Sequence, residues 1–146
     1  MRRNFPVLLG LALVLSVISA CSGGNSSAPS SPAATNVAGS WAGTVASATS
    51  GNQAGTGAFH ATFVQDESSL SGSWNVTYPD PANNNSGELT GIISGASVTL
   101  TLSSGVPTAC PFSATATLSG ATAMSGTYST FNCTVADGGP FNITKQ

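Results

Sequence analysis

Large apolar residues fall on every second position of this chain, in run after run, and that period commits it to strands buried on one face. Trp41, Gly43 and Val45 share a face in the first run. Phe59, Ala61 and Phe63 share one in the second, with His60 and Thr62 on the opposite side. In the third, Leu70, Gly72, Trp74, Val76 and Tyr78 alternate with Ser71, Ser73, Asn75 and Thr77. Five more sets follow: Leu89, Gly91 and Ile93; Val98, Leu100 and Leu102; Phe112, Ala114, Ala116 and Leu118; Met124, Gly126 and Tyr128; and Phe141 with Ile143. No stretch of this region sustains the spacing of an amphipathic helix, so the fold class is all-β.

The connections narrow the architecture. Pro79 to Gly87, Gly105-Val106-Pro107 and Gly138-Gly139-Pro140 are turn segments, and the remaining gaps are short. Without room for a crossover, consecutive strands must pair antiparallel. Closing eight of them into an up-and-down barrel removes exposed edges, and a barrel of that size either fills with side chains or holds one small ligand. Glycines at the inward positions 43, 72, 91 and 126 suit its tight coiling. The alternative is a β-sandwich. Its immunoglobulin version expects a tryptophan between two cysteines, whereas Trp41 and Trp74 both precede Cys110 and Cys133. Gly39-Ser40-Trp41 is similar to the G-x-W that opens lipocalins and other calycins. That resemblance implies a small barrel with a basic residue packed over the tryptophan, a place for which Lys145 is the candidate.

The N-terminus has a different composition. Arg2 and Arg3 precede an apolar run from Val7 to Ile18, which ends in the small residues Ser19 and Ala20, the build of an export signal. The run is too short for an ordinary membrane span of about 20 residues. Ile18-Ser19-Ala20-Cys21 resembles the lipobox of bacterial lipoprotein precursors. The resemblance implies cleavage before Cys21, fatty acylation of its thiol and new amino group, and, with Ser22 next, sorting to the outer membrane of a two-membrane cell. The expected organisation is a signal peptide over 1–20, the lipidated cysteine and a flexible Ser/Gly/Pro tether over 21–36, and a β-barrel domain over 37–146. Loss of the leader removes both arginines. Lys145 then stands against Asp66, Glu67, Asp80, Glu88 and Asp137, a side-chain charge of one minus five, or minus four. One lysine cannot build the basic patch that nucleic acid or an anionic lipid surface needs, so no nucleic-acid partner is expected.

With Cys21 committed to lipid, Cys110 and Cys133 remain in an exported domain, where thiols oxidise, and they flank one hairpin at equal distances from its tip. We expect a disulfide between them. The parity of that hairpin requires one irregular residue between Tyr128 and Cys133, an expectation that turns Phe131 inward.

Residues with chemistry are few. His60 is the only histidine and lies on the polar parity of its strand; Asp66 and Glu67 are adjacent and point apart; Asp80, Asn83, Asn85 and Glu88 lack the spacing of a calcium loop. No catalytic residue, metal or cofactor is expected. The expected role is non-enzymatic. Beside the membrane, reached through the lipid on Cys21, the expected partner is a small apolar ligand among Trp41, Phe59, Phe63, Trp74, Tyr78 and Tyr128. The alternative is a structural or protein-interaction lipoprotein of the cell envelope, whose barrel those same side chains fill.

Overall fold

The computed structural model describes residues 34–47, 55–107, 109–134 and 136–146. The expected signal peptide, Cys21 and the tether up to residue 33 lie outside the described residues. Eight strands follow the alternating runs: β1 (Gly39–Ala46), β2 (Thr56–Asp66), β3 (Ser69–Thr77), β4 (Asn85–Ser94), β5 (Ser97–Ser104), β6 (Phe112–Ser119), β7 (Ala123–Thr130) and β8 (Gly138–Lys145). Each pairs antiparallel with the next, and β1 pairs with β8, so the sheet closes into an up-and-down barrel. Closure runs from Trp41 opposite Lys145 to Val45 opposite Phe141, and the Gln146 N–H donates to the Ser40 carbonyl at 2.9 Å.

Every inward set named above faces the interior. The core collects Trp41, Phe63, Leu89, Ile93, Val98 and Met124 among its most buried members, while the alternating Ser and Thr positions lie outside. At the inward glycines 43, 72, 91 and 126, the place of a side chain is taken by a carbonyl oxygen of the adjacent strand, from Asn142, Thr62, Thr99 and Thr115 respectively. Those contacts let the sheet coil tightly enough to close.

The two ends differ. At one, tight hairpins join β2 to β3, β4 to β5 and β6 to β7, and the carbonyls of Ser68, Ala96 and Thr122 in those hairpins accept from the N–H groups of Ile93, Leu118 and Lys145 at 2.8, 2.8 and 2.9 Å. Val37, fully buried, plugs this end. Its N–H donates to Gln65 Oε1 (2.8 Å), and its carbonyl accepts from Trp41 Nε1 (2.8 Å). Gln65 Nε2 also reaches back to the Thr35 carbonyl (3.1 Å), so Ala34 to Asn36, which composition assigns to the tether, lie against the barrel. The segment is held there by Gln65, which hydrogen-bonds the Thr35 and Val37 backbone, and by Asn36 Oδ1, which accepts from the Ala38 N–H at 3.0 Å. Lys145 sits opposite Trp41 in the ladder, with Cε 3.3 Å from where a side chain on Gly39 would begin.

At the other end lie the β1–β2, β3–β4, β5–β6 and β7–β8 connections. Here Cys110 and Cys133 form the expected disulfide, their Cα atoms 5.7 Å apart. The β6–β7 ladder is regular through Phe112 opposite Thr130, and the Phe131 N–H donates to the Pro111 carbonyl at 3.2 Å. The irregular residue is Asn132, in the left-handed region at φ 52°. Because the register slips after Phe131 and not before it, Phe131 keeps the outward parity and stays outside the core, contrary to the inward position expected for it.

Candidate functional site: an aromatic cavity at the open end

The open half of the barrel contains a cavity of about 170 Å³. Its position follows from strand geometry. At about 3.3 Å per residue, inward side chains four positions apart on one strand are separated by roughly 13 Å along it, so they occupy different ends of the barrel. Phe63 therefore packs at the closed end, edge-on to Trp41 with ring centroids 6.0 Å apart, while Phe59 lines the cavity. Of the six aromatic residues expected to form a ligand site, the structure brings four together: Phe59, Trp74, Tyr78 and Tyr128. Trp41 and Phe63 belong to the plug.

The sequence reading missed Phe112, which links the cavity rings into one wall. Phe59 stacks on Trp74 at 6.2 Å, Trp74 meets Phe112 edge-on at 5.9 Å, and Phe112 meets Tyr128 at 5.8 Å, all within the range of favourable ring contacts. Phe112 carries the inward parity of its strand, so the alternation already pointed to it. Trp74 stands opposite Gly87 in the ladder, and its Nε1 donates to the Glu88 and Ser103 carbonyls at 3.1 and 3.2 Å. That bond fixes the indole plane and leaves its ring carbons to the cavity. Tyr78 lies over Gly57, whose missing side chain would otherwise meet the Tyr78 ring at 2.8 Å.

Polar groups concentrate at one side. Asp137 is the one charged residue in the described lining. Its Oδ1 accepts from Ser47 Oγ at 2.7 Å and from the Gly138 N–H at 2.8 Å. Its backbone is held too, since the Thr130 N–H donates to the Asp137 carbonyl at 2.8 Å and the Asp137 N–H to Thr130 Oγ1 at 3.0 Å. A carboxylate held by Ser47, just past β1, and by the first residue of β8, on a backbone tied to Thr130 of β7, is part of the wall. The Tyr128 hydroxyl is buried and has no hydrogen-bond partner among the described residues. Burial, then the neighbouring Tyr78 hydroxyl and the Asp137 carboxylate, raise Tyr128 well above the ordinary phenol range. Burial raises Tyr78 as well, and Asp137 adds to the effect.

The sign of this coupling gives a test. A phenol whose folded pKa exceeds its unfolded value of about 10 favours the folded state below that pH, and the benefit is lost as pH rises through the folded pKa. Stability followed by chemical denaturation is thus expected to fall above about pH 10, and Tyr128→Phe to flatten that fall. An alkaline limb that is identical in the variant would remove Tyr128 as its source.

His60 is exposed on the outer face of β2, paired with Ala42 and Asn75. Asp66 and Glu67 lie at the β2–β3 hairpin, and Asp80 Oδ1 accepts from the Ala82 N–H at the start of a short 3-10 turn, Pro81–Asn83. Among the described residues no three His, Cys, Asp or Glu side chains cluster closely enough to hold a metal ion. Fold and site together define a small up-and-down β-barrel, plugged at one end and carrying an aromatic cavity at the other. Compared with protein-family models, curated proteins and solved structures, the chain matches none.

Proposed function

We propose that this protein is a lipid-anchored lipoprotein of the cell envelope, placed in the outer membrane where the cell has two membranes, and that it binds a small, largely apolar molecule without transforming it. The observation that carries the binding reading is the cavity wall of Phe59, Trp74, Phe112 and Tyr128, at the end of the barrel away from the buried Val37, Trp41 and Phe63. Size narrows the ligand. An apolar protein cavity of about 150 Å³ holds benzene, whereas drug-sized ligands take pockets of roughly 300 to 1,000 Å³. A volume of about 170 Å³ fits one ring or a short chain.

The two tryptophans make the test direct, because Trp74 lines the cavity and Trp41 is buried at the closed end. Toluene is expected to change the tryptophan fluorescence of the wild type and of Trp41→Phe, and to leave that of Trp74→Phe unchanged. Failure of toluene to bind, measured also by calorimetry, would favour the structural or protein-interaction reading instead.

The anchor rests on the resemblance of Ile18-Ser19-Ala20-Cys21 to a lipobox. Two or more acyl chains on one cysteine hold a protein firmly at a membrane, at about 0.8 kcal/mol for each buried CH₂. Cys21→Ser is therefore expected to abolish incorporation of labelled fatty acid and to move the protein out of the membrane fraction. Undiminished labelling of the variant would refute acylation at this residue.

A further inference from the structure

We propose that the ligand of the open-end cavity is a small organic cation, a primary amine carried on a single ring or short chain, with its ammonium group at the Asp137 side and its apolar body against Trp74 and Phe112. This rests on the apolar-cavity reading above and specifies its ligand class.

Three observations carry it. First, the charge balance of the lining is one-sided: it holds one carboxylate and no Lys, Arg or His, while Lys145 lies at the opposite end of the barrel. An anion would meet Asp137 with no compensating base. A neutral apolar molecule would cover the carboxylate, whose charge Ser47 and Gly138 solvate through Oδ1 alone, without adding a donor or a compensating charge. Second, the rings of Phe59, Trp74 and Phe112 form a continuous apolar surface in the rest of the lining, against which the ring or short chain of the ligand can pack. Third, hydrogen-bonding capacity is left open at the same place. Asp137 Oδ1 is occupied by Ser47 and Gly138, Oδ2 makes no hydrogen bond among the described residues, and the buried Tyr128 hydroxyl has no partner there either. A primary ammonium brings three donors and no acceptor, which suits a carboxylate oxygen and a phenol oxygen. The raised pKa of Tyr128 keeps that phenol neutral at physiological pH, so it can accept without adding charge.

The test compares probes of one shape and different charge. Benzylamine, benzyl alcohol, benzoate and toluene are titrated calorimetrically into the full chain in a neutral detergent, with empty micelles as reference. Benzylamine is expected to bind about tenfold tighter than benzyl alcohol, in keeping with a charge-assisted hydrogen bond from the ammonium to the carboxylate, and benzoate not to bind. Asp137→Asn keeps an oxygen for Ser47 and Gly138 and is expected to erase the tenfold preference, read as the ratio of the benzylamine and benzyl alcohol affinities measured on the same variant. Tyr128→Phe should reduce the preference in part. Equal affinity for benzylamine and benzyl alcohol in the wild type overturns the cation assignment and leaves the apolar reading standing, and this comparison needs no variant. A preference that persists in Asp137→Asn overturns it as well, as does tighter binding of benzoate. If toluene and every other probe fail to bind, the cavity reading falls and the cation assignment with it.

Discussion

Alanine in place of Gly72 is expected to destabilise the barrel by about 4 kcal/mol, the sum of an unfavourable backbone conformation and an overpacked contact. Gly72 sits on β3 at φ +152°, opposite Phe63, and a side chain there would begin on top of the Thr62 carbonyl oxygen in β2. Neither partner can step aside, because Phe63 is buried in the closed-end plug and the Thr62 backbone belongs to the ladder on both sides. Gly95 provides the comparison that separates the two costs. It also has positive φ, +60°, in the β4–β5 hairpin, but nothing lies within 4 Å of the position its side chain would take. Gly95→Ala should therefore cost only the conformational part, about 1 kcal/mol. Urea unfolding with an unchanged slope reads both values on one scale. Similar losses for the two variants would mean that β2 and β3 can separate at Gly72, and that close approach of these strands is not what shapes the barrel.

The same glycine shows how far the sequence reaches. Period-two alternation places Gly72 between Leu70 and Trp74 on the inward face, and that is enough to mark it as a point of close approach. The strand count, the antiparallel order and closure were legible for the same reason: each inward set obeys one parity, and short turns leave no other topology. Height along the barrel axis was not legible. Parity puts Trp41, Phe63, Trp74 and Tyr128 on one face, but only the register, Gly39 opposite Phe63 and Phe112 opposite Thr130, decides which of them plug an end and which surround a cavity. Val37 was missed because one apolar residue at the edge of a polar segment has no period to belong to. Asp137 was missed as a lining residue because it lies in a loop, where alternation says nothing, and its importance comes from Ser47, 90 residues away in the chain.

The second large effect belongs to the disulfide. Cys110 and Cys133 are 23 residues apart in sequence and close a loop that contains the whole β6–β7 hairpin. Restricting the unfolded chain by a loop of this length stabilises the fold by about 3 kcal/mol in the chain-entropy model. Replacing both cysteines with alanine is thus expected to lower Tm by roughly 10 to 15 °C in a domain of this size. Reduction of the wild type should give the same Tm as the double variant, since both remove one constraint on the unfolded state. The cavity should respond differently from the stability. Asp137 is held by Thr130, Ser47 and Gly138 and not by the bridge, and Phe112 and Tyr128 are held by the β6–β7 ladder, which is regular up to Thr130. At temperatures well below its own Tm, the double variant should therefore retain the benzylamine affinity of the wild type. A Tm that does not move would show that the hairpin already constrains the unfolded chain. Loss of binding at low temperature would show that Asn132, with its left-handed backbone, transmits the position of Cys133 to the cavity wall. The expected combination, a large loss of stability with an intact site, follows from a bridge that ties the two ends of a hairpin whose own ladder already orders the residues between them.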